Sequence, residues 1–349
     1  MIETLPAGVW AAIFGLIGGC VLGLAARLGD FCTLGALESA AYGADQRRLR
    51  LWGIVLGVAI ITTFLAETAG WAEPRQTFYH TISWNPIASV LGGLIFGYGM
   101  AMAGNCGFGA LVRFGGGDLR SLVVVVVIGI FAFATLSGPI APLRVLLFPQ
   151  EPASTTQGIA HLLAAQTGLP ALTYATIAGI AAISWALAHH PLRQRPGMIA
   201  WGVAAGLAVT FCLVATTWAW RESFGEVSVE GPSFTAPLGR TLIYFMTSTA
   251  GGISFSVGMV AGVLGGAFAG SVFRGRFRWE ACEDPRELGR QVMGAALMGI
   301  GGTLALGCSI GQGVTAMATL AVSAPVTLAA IVAGGLIGLR QLIEGYQPD

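Results

Sequence analysis

Gly97-Tyr98-Gly99-Met100-Ala101-Met102-Ala103-Gly104-Asn105-Cys106-Gly107-Phe108-Gly109 has a counterpart far along the chain, Gly299-Ile300-Gly301-Gly302-Thr303-Leu304-Ala305-Leu306-Gly307-Cys308-Ser309-Ile310-Gly311. In both stretches glycines stand nine and seven residues before a cysteine and three after it. A looser copy surrounds Cys32, with Gly23 nine before and Gly35 three after. Each copy closes a long apolar segment. A thiol set among glycines at the end of such a segment suggests a site, and three of them suggest a route.

Working outward, the chain of 349 residues is 55% hydrophobic and 10% charged, with a mean hydropathy of +0.75. Soluble domains carry about a quarter charged residues. The composition therefore points to an all-α polytopic membrane protein, and its 52 glycines suit close helix packing and broken helices in a bilayer. A formal net charge of +1 gives no case for nucleic acid. All 18 basic residues are arginine, so no phosphate loop with its lysine exists. Met1 to Gly8 lacks a basic leader and no cleavage site follows, so the first apolar segment reads as a permanent span. The six cysteines form no Cys-x-x-Cys pair, and the four histidines lack ligand spacing on a helix. No metal or cofactor is expected. His189-His190 reads as part of a solvated loop.

A spanning helix takes about twenty mostly apolar residues. That rule places nine spans, near 8–27, 51–70, 86–104, 120–137, 170–188, 197–217, 251–272, 288–306 and 324–342. The segments 28–46, 104–118, 236–250 and 307–320 are too apolar for ordinary loops and too short or broken to cross. They read as re-entrant pieces buried in protein or lining a cavity. A short apolar stretch near 156–167 is expected at the interface.

Arginine placement sets the orientation. Fourteen arginines fall on one side, from Arg27, Arg47, Arg48 and Arg50 through Arg113 and Arg274 to Arg340. Only Arg75, Arg144, Arg221 and Arg240 fall on the other. The arginine-rich side is then cytoplasmic, with the N-terminus outside and the C-terminus inside. On this count the spans before Cys106 and Cys308 run in opposite directions, as in an inverted repeat. One transport domain, 1–349, would divide into halves 1–168 and 169–349. The counterpart of the Cys32 region is Gly258 to Arg278, where Gly258, Gly262 and Gly265 echo Gly15, Gly19 and Gly23 and no cysteine matches Cys32.

The chemistry follows from the residue types. Gly107, Gly109 and Gly311 leave their amides open to a solute, and the segments after Cys106 and Cys308 can supply helix starts with free N–H groups. Asn105, Gln312 and Thr315 add neutral hydrogen-bonding groups, and Arg113 follows Cys106 by seven residues. No acidic residue adjoins either motif, which favours an anion or polar neutral solute over a metal cation. A thiol is a weak donor and weak acceptor, so Cys32, Cys106 and Cys308 in series bind loosely enough to release. Their polarizable sulfur suits a sulfur-bearing solute. Cys20 and Cys212, mid-span, read as packing residues, and Cys282 as an incidental thiol. Arg27 and Asp30 read as a local ion pair closing a helix end; Glu38 is open.

At Gly29-Asp30-Phe31-Cys32-Thr33-Leu34-Gly35-Ala36, Gly104-Asn105-Cys106-Gly107-Phe108-Gly109-Ala110 and Gly307-Cys308-Ser309-Ile310-Gly311-Gln312-Gly313 the chain resembles the YeeE/YedE family of bacterial inner-membrane proteins. The resemblance implies an hourglass-shaped protein with nine spans and short helices that penetrate without crossing. It implies thiosulfate uptake for sulfur assimilation, no enzymatic step, and a relay of the anion by S–H hydrogen bonds at Cys32, Cys106 and Cys308. It also implies a separate cytoplasmic TusA-like sulfurtransferase as partner. The residues leave other readings open: a transporter of another sulfur or selenium compound, a membrane thiol or sulfurtransferase enzyme, or a protein whose cysteines only pack.

Overall fold

The structure, a computed structural model, describes residues 6–249, 251–281 and 284–344. It is helical throughout, with no strand among the described residues beyond isolated bridges. The elements are α1 (Ala7–Gly29), α2 (Thr33–Ala41), α3 (Arg47–Thr68), α4 (Phe78–Thr81), α5 (Pro86–Ala103), α6 (Gly107–Gly115), α7 (Leu119–Leu136) and α8 (Ala141–Leu147). Then come α9 (Ile159–Thr167), α10 (Ala171–Leu187), α11 (His190–Arg193), α12 (Pro196–Glu222), α13 (Ala236–Thr247), α14 (Phe255–Phe273), α15 (Pro285–Leu304) and α16 (Ser323–Glu344).

Every stretch predicted as a span is a helix, and the segments predicted as re-entrant contain the short helices α2, α6 and α13 and a wide helical turn, Gly311–Ala316. Seven helical runs among the described residues are long and apolar enough to cross a membrane. Two predicted spans fall short of that measure. The helix α10 has 17 residues, and α15 opens on Arg286, Glu287 and Arg290. The seventh predicted span begins at Phe255 rather than 251. Large apolar side chains stay exposed on the outer faces, including Leu16, Ile17, Ile87, Leu91, Ile130, Ile177, Ile180 and Leu207. An apolar exterior of that extent needs lipid around it, so this is a multi-pass membrane protein.

In lipid, helices associate through close packing rather than through a hydrophobic drive, and small residues permit it. Gly15, Gly19 and Gly23 of α1 lie against the backbone of α14 around Gly258, Gly262 and Gly266, with numbers rising together, so the two helices are parallel. The third glycine of that seam is Gly266; Gly265, expected there, faces open space.

The glycines that precede the two cysteines make matching contacts. Gly99 lies against Gly294 and Met298 of α15, and Gly301 lies against Gly92 and Phe96 of α5, an antiparallel crossing. Gly97 meets Ile331 and Gly335 of α16, whereas Gly299 meets Ile128 and Ala132 of α7. Each motif helix thus lies on its counterpart and on the helix that follows that counterpart. On the far side α3 is antiparallel to α10, with Gly53 on Ala182 and Gly57 on Gly179. It is parallel to α12, with Gly202 on Leu51 and Gly206 on Val55.

Charged groups collect at the two ends. One end holds the pairs Arg120–Asp118 (3.2 Å), Arg120–Glu287 (3.6 Å) and Arg274–Asp30 (3.8 Å). The other holds Arg75–Glu67 (3.1 Å), Arg240–Glu230 (2.8 Å) and Arg221–Glu73. The expected Arg27–Asp30 pair is not formed. Asp30 is the left-handed cap of α1 (φ 57°) and turns toward Arg274, while Arg27 donates to the Val112 carbonyl at the end of α6 (2.9 Å).

Candidate functional site

The three cysteines sit in the same local structure. Two residues before each stands a residue in the left-handed region: Asp30 (φ 57°), Gly104 (φ 73°) and Leu306 (φ 56°). That conformation ends the incoming helix and reverses its course. The cysteine carbonyl then opens a new helical turn, accepting from the amide of Ala36 (3.1 Å), Ala110 (2.8 Å) or Gln312 (2.8 Å). Leu306 is the costly case, because a branched side chain rarely adopts φ near +56°.

The glycine three residues on has its explanation here. The Gly109 amide donates to Cys106 Sγ (3.4 Å), and the Gly311 amide donates to Cys308 Sγ (3.3 Å). Gly35 is placed alike, a Cβ on it falling 3.7 Å from Cys32 Sγ. A sulfur that accepts from an amide keeps its own hydrogen for donation elsewhere. The turn therefore orients the S–H group. After Cys308 the helical turn is widened, Thr315 N donating to Ile310 O (3.0 Å), so the helix start expected there is of π type.

The turns meet in the centre. A Cβ placed on Gly109 would lie 3.7 Å from Cys106 Sγ and 3.9 Å from Cys32 Sγ, so both thiols border the same glycine. Cys106 Sγ reaches Thr33 Oγ1 at 3.9 Å, and Thr33 Oγ1 donates to Ser309 Oγ at 3.1 Å. Cys308 Sγ accepts from the Phe234 amide (3.2 Å) and lies 3.9 Å from Ser233 Oγ. Thr33 and Ser309 each follow a cysteine directly, and that shared hydroxyl was the available sequence signal for them. Ser233 and Phe234 gave none: the loop carrying them is brought in by Thr315, which donates to the Pro232 carbonyl (2.6 Å).

Cys106 and Cys308 are buried and Cys32 is half-buried. Aromatic rings line this waist, Trp52 against Phe31 (5.1 Å between centroids) and Phe108 against Phe234 (5.1 Å). Two cavities approach it. One, of about 270 Å³, is lined by Cys32, Gly109, Gly35 and Glu38 with Arg27, Arg48, Arg113, Arg274 and Arg276. The other, of about 360 Å³, is lined by Gly307, Ser233, Thr235, Thr303, Glu230 and Arg240.

Among the other predicted site residues, Arg113 lines the arginine cavity and Gly107 lies against the Phe234 carbonyl. Asn105 is buried with its Oδ1 unpartnered. Gln312 belongs to the scaffold: its Nε2 donates to the Ala305 carbonyl (2.8 Å) and its Oε1 accepts from Ser323 (3.3 Å). Cys212 is fully buried against Gly18, and Cys20 lies on the α1–α14 seam, so both sit in helix packing. Cys282 lies outside the described residues. No group of three metal-ligating side chains occurs among the described residues.

Known proteins are similar to this sequence along most of its length. A thiosulfate transporter of Escherichia coli, TsuA, is 27% identical over 87% of this chain and 88% of its own. The TsuA thiosulfate transporter of Spirochaeta thermophila is 23% identical over 88% of this chain and 92% of its own. The sulphur transport family model matches residues 28–337, a stretch that contains all three cysteine turns. The chain therefore belongs to the sulphur transport family.

Proposed function

We propose that this protein takes thiosulfate into the cell across the bacterial inner membrane, handing it from Cys308 to Cys106 to Cys32 by S–H hydrogen bonds. The observation that carries the reading is the recurrence of one turn at three cysteines, with Cys32 lining one cavity and Cys308 beside Ser233, which lines the other. Thiosulfate is a dianion with a terminal sulfur. The waist offers it polarizable thiols and hydroxyls without a carboxylate, and the arginine cavity offers charge beyond them. Weak donors in series allow both capture and release. No cysteine need change covalently.

The antiparallel α5–α15 crossing and its reciprocal glycine contacts support nine crossings arranged as two inverted halves, 1–168 and 169–349, although the parallel α1–α14 pair is not a pair of inverted counterparts. On the positive-inside rule the arginine end faces the cytoplasm, which places the N-terminus in the periplasm and the C-terminus inside. A TusA-like sulfurtransferase collecting thiosulfate at the arginine mouth completes the proposal.

Uptake of labelled thiosulfate into proteoliposomes tests it, with sulfate and selenite as competitors. Accumulation that sulfate and selenite leave intact is the expected result; absence of uptake by correctly inserted protein sinks the reading. The nearness of Cys32 and Cys106 about Gly109 also favours a second reading, transfer of sulfane sulfur between thiols. Mass spectrometry after thiosulfate exposure decides: unmodified thiols are expected, and a persistent persulfide would favour transfer.

A further inference from the structure

Beside Cys308 two hydroxyl groups converge on one point with little else to bond. A Cβ built on Gly311 would lie 2.7 Å from Ser233 Oγ and 3.0 Å from Tyr79 Oη. Tyr79 is 4% exposed, and its hydroxyl is buried without a partner. Ser233 is 9% exposed, and the bond found for its hydroxyl is the long one to Cys308 Sγ, 3.9 Å. Buried hydroxyls ordinarily find a partner, because an unmet one costs about 1–3 kcal/mol. Ser233 lines the 360 Å³ cavity, and Tyr79 stands behind it against Gly311, so that the two hydroxyls and the Cys308 thiol make a ligand subsite next to that cavity.

The three side chains differ in kind. Cys308 Sγ is soft and already accepts from the Phe234 and Gly311 amides. Tyr79 and Ser233 are hard O–H donors, suited to a charged oxygen. Burial pushes the Tyr79 phenol well above its usual pKa, so it stays a donor across the physiological range.

We infer that Tyr79 and Ser233 form the subsite for the oxyanion end of the solute at this mouth, so that the ion arrives with its oxygens on the two hydroxyls and its terminal sulfur on Cys308. The inference rests on thiosulfate being carried and goes beyond it by fixing the ion's orientation. Recognition of both ends is what separates thiosulfate from ions that carry one of them. A side chain at Gly311 would collide with both hydroxyls, so glycine there leaves them unobstructed.

The test is the concentration dependence of thiosulfate uptake by proteoliposomes holding wild type, Tyr79→Phe or Ser233→Ala. Tyr79→Phe keeps the ring that packs on Phe78. Loss of a hydrogen bond to a charged group costs about 1.5–3 kcal/mol, so each variant should raise KM by about tenfold or more. The maximal rate and the melting temperature should stay near wild type. KM values within twofold of wild type in both variants would overturn the inference and leave the thiosulfate reading intact. A joint fall in maximal rate and melting temperature, without a change in KM in either variant, would likewise overturn it, assigning both residues to packing. No uptake by wild type would overturn both.

Discussion

The two mouths differ little in size and greatly in charge. The cavity at Cys32 is lined by five arginines against two carboxylates, Asp30 and Glu38, and one of those, Asp30, is paired with Arg274. The cavity near Cys308 holds one arginine, Arg240, already bound to Glu230 at 2.8 Å. The first exerts a pull on anions over about a Debye length, whereas the second offers an anion mainly neutral donors. In the proposed path, charge at only one end gives the anion a downhill finish. The waist between them is neutral and aromatic, which denies water and cations an easy route.

The largest effect should come at the waist. Cys308→Ala or Cys106→Ala should abolish thiosulfate uptake, and thiosulfate-dependent growth, with protein still present in the membrane. Normal growth of both variants would sink the relay. It would also make the mouths, not the thiols, the determinants of transport.

Acid separates the mouths through stability. His80, beside Tyr79, is buried, and burial together with nearby His161 lowers its pKa from 6.5 to about 4. The unfolded chain therefore binds this proton more readily. Stability is full above pH 6.5 and falls by roughly 3 kcal/mol as pH drops toward 4. A melting temperature that declines over that window in wild type, and not in His80→Gln, is the expected result. A decline unchanged in His80→Gln would assign it elsewhere.

Gly311 and Gly109 compare the two ends of the thiol series. Gly311→Ala places a methyl 2.7 Å from Ser233 Oγ and 3.0 Å from Tyr79 Oη, so uptake should fall on the order of tenfold. Gly109→Ala meets Asn105 Cβ at 3.3 Å and both sulfurs at ordinary contact distance, so a loss of roughly twofold to threefold is expected. Equal losses in liposome assays would erase the distinction between a crowded subsite and a roomy passage. Next in size, Arg113→Gln should raise the KM for uptake about twofold and weaken its dependence on salt, whereas Arg240→Gln should leave the salt dependence as it is. The opposite ranking would reverse the roles of the mouths.

The smallest effect is Asp45, at the arginine end, whose carboxyl Arg47 holds down at about 2 by a direct hydrogen bond. Its contribution is present above pH 3.8 and lost as pH falls toward 2. Both side chains are more than a third exposed, so solvent screening limits the loss to less than about 1 kcal/mol. Asp45→Asn should remove that small acid limb from a melting curve, and a larger change would mean that Asp45 has a structural role beyond the pair.

Helix identity was legible in the sequence because a bilayer demands long apolar runs, and the cysteines were legible because their glycines recur. What was hidden depended on angle and contact. The left-handed residues at Asp30 and Leu306 are not glycines, so only Gly104 advertised the turn that all three share. Gly266 rather than Gly265 completes the α1–α14 seam, because a helix face is set by rotation that a loose echo of spacing does not fix. Gln312 has the composition of a solute ligand but spends its amide on Ala305 and Ser323. Tyr79, on the short helix α4, and Ser233, in a loop, stand remote from every motif, and only folding puts them beside Gly311.

The burial that surrounds Cys106 and Cys308 also guards them. Cys106 and Cys308 are at most 1% exposed, so reagents dissolved in water have no open approach to either sulfur. The thiolate is the form that oxidants and alkylating agents attack. The packing that holds Cys106 and Cys308 in their turns therefore also shields them from chemical attack.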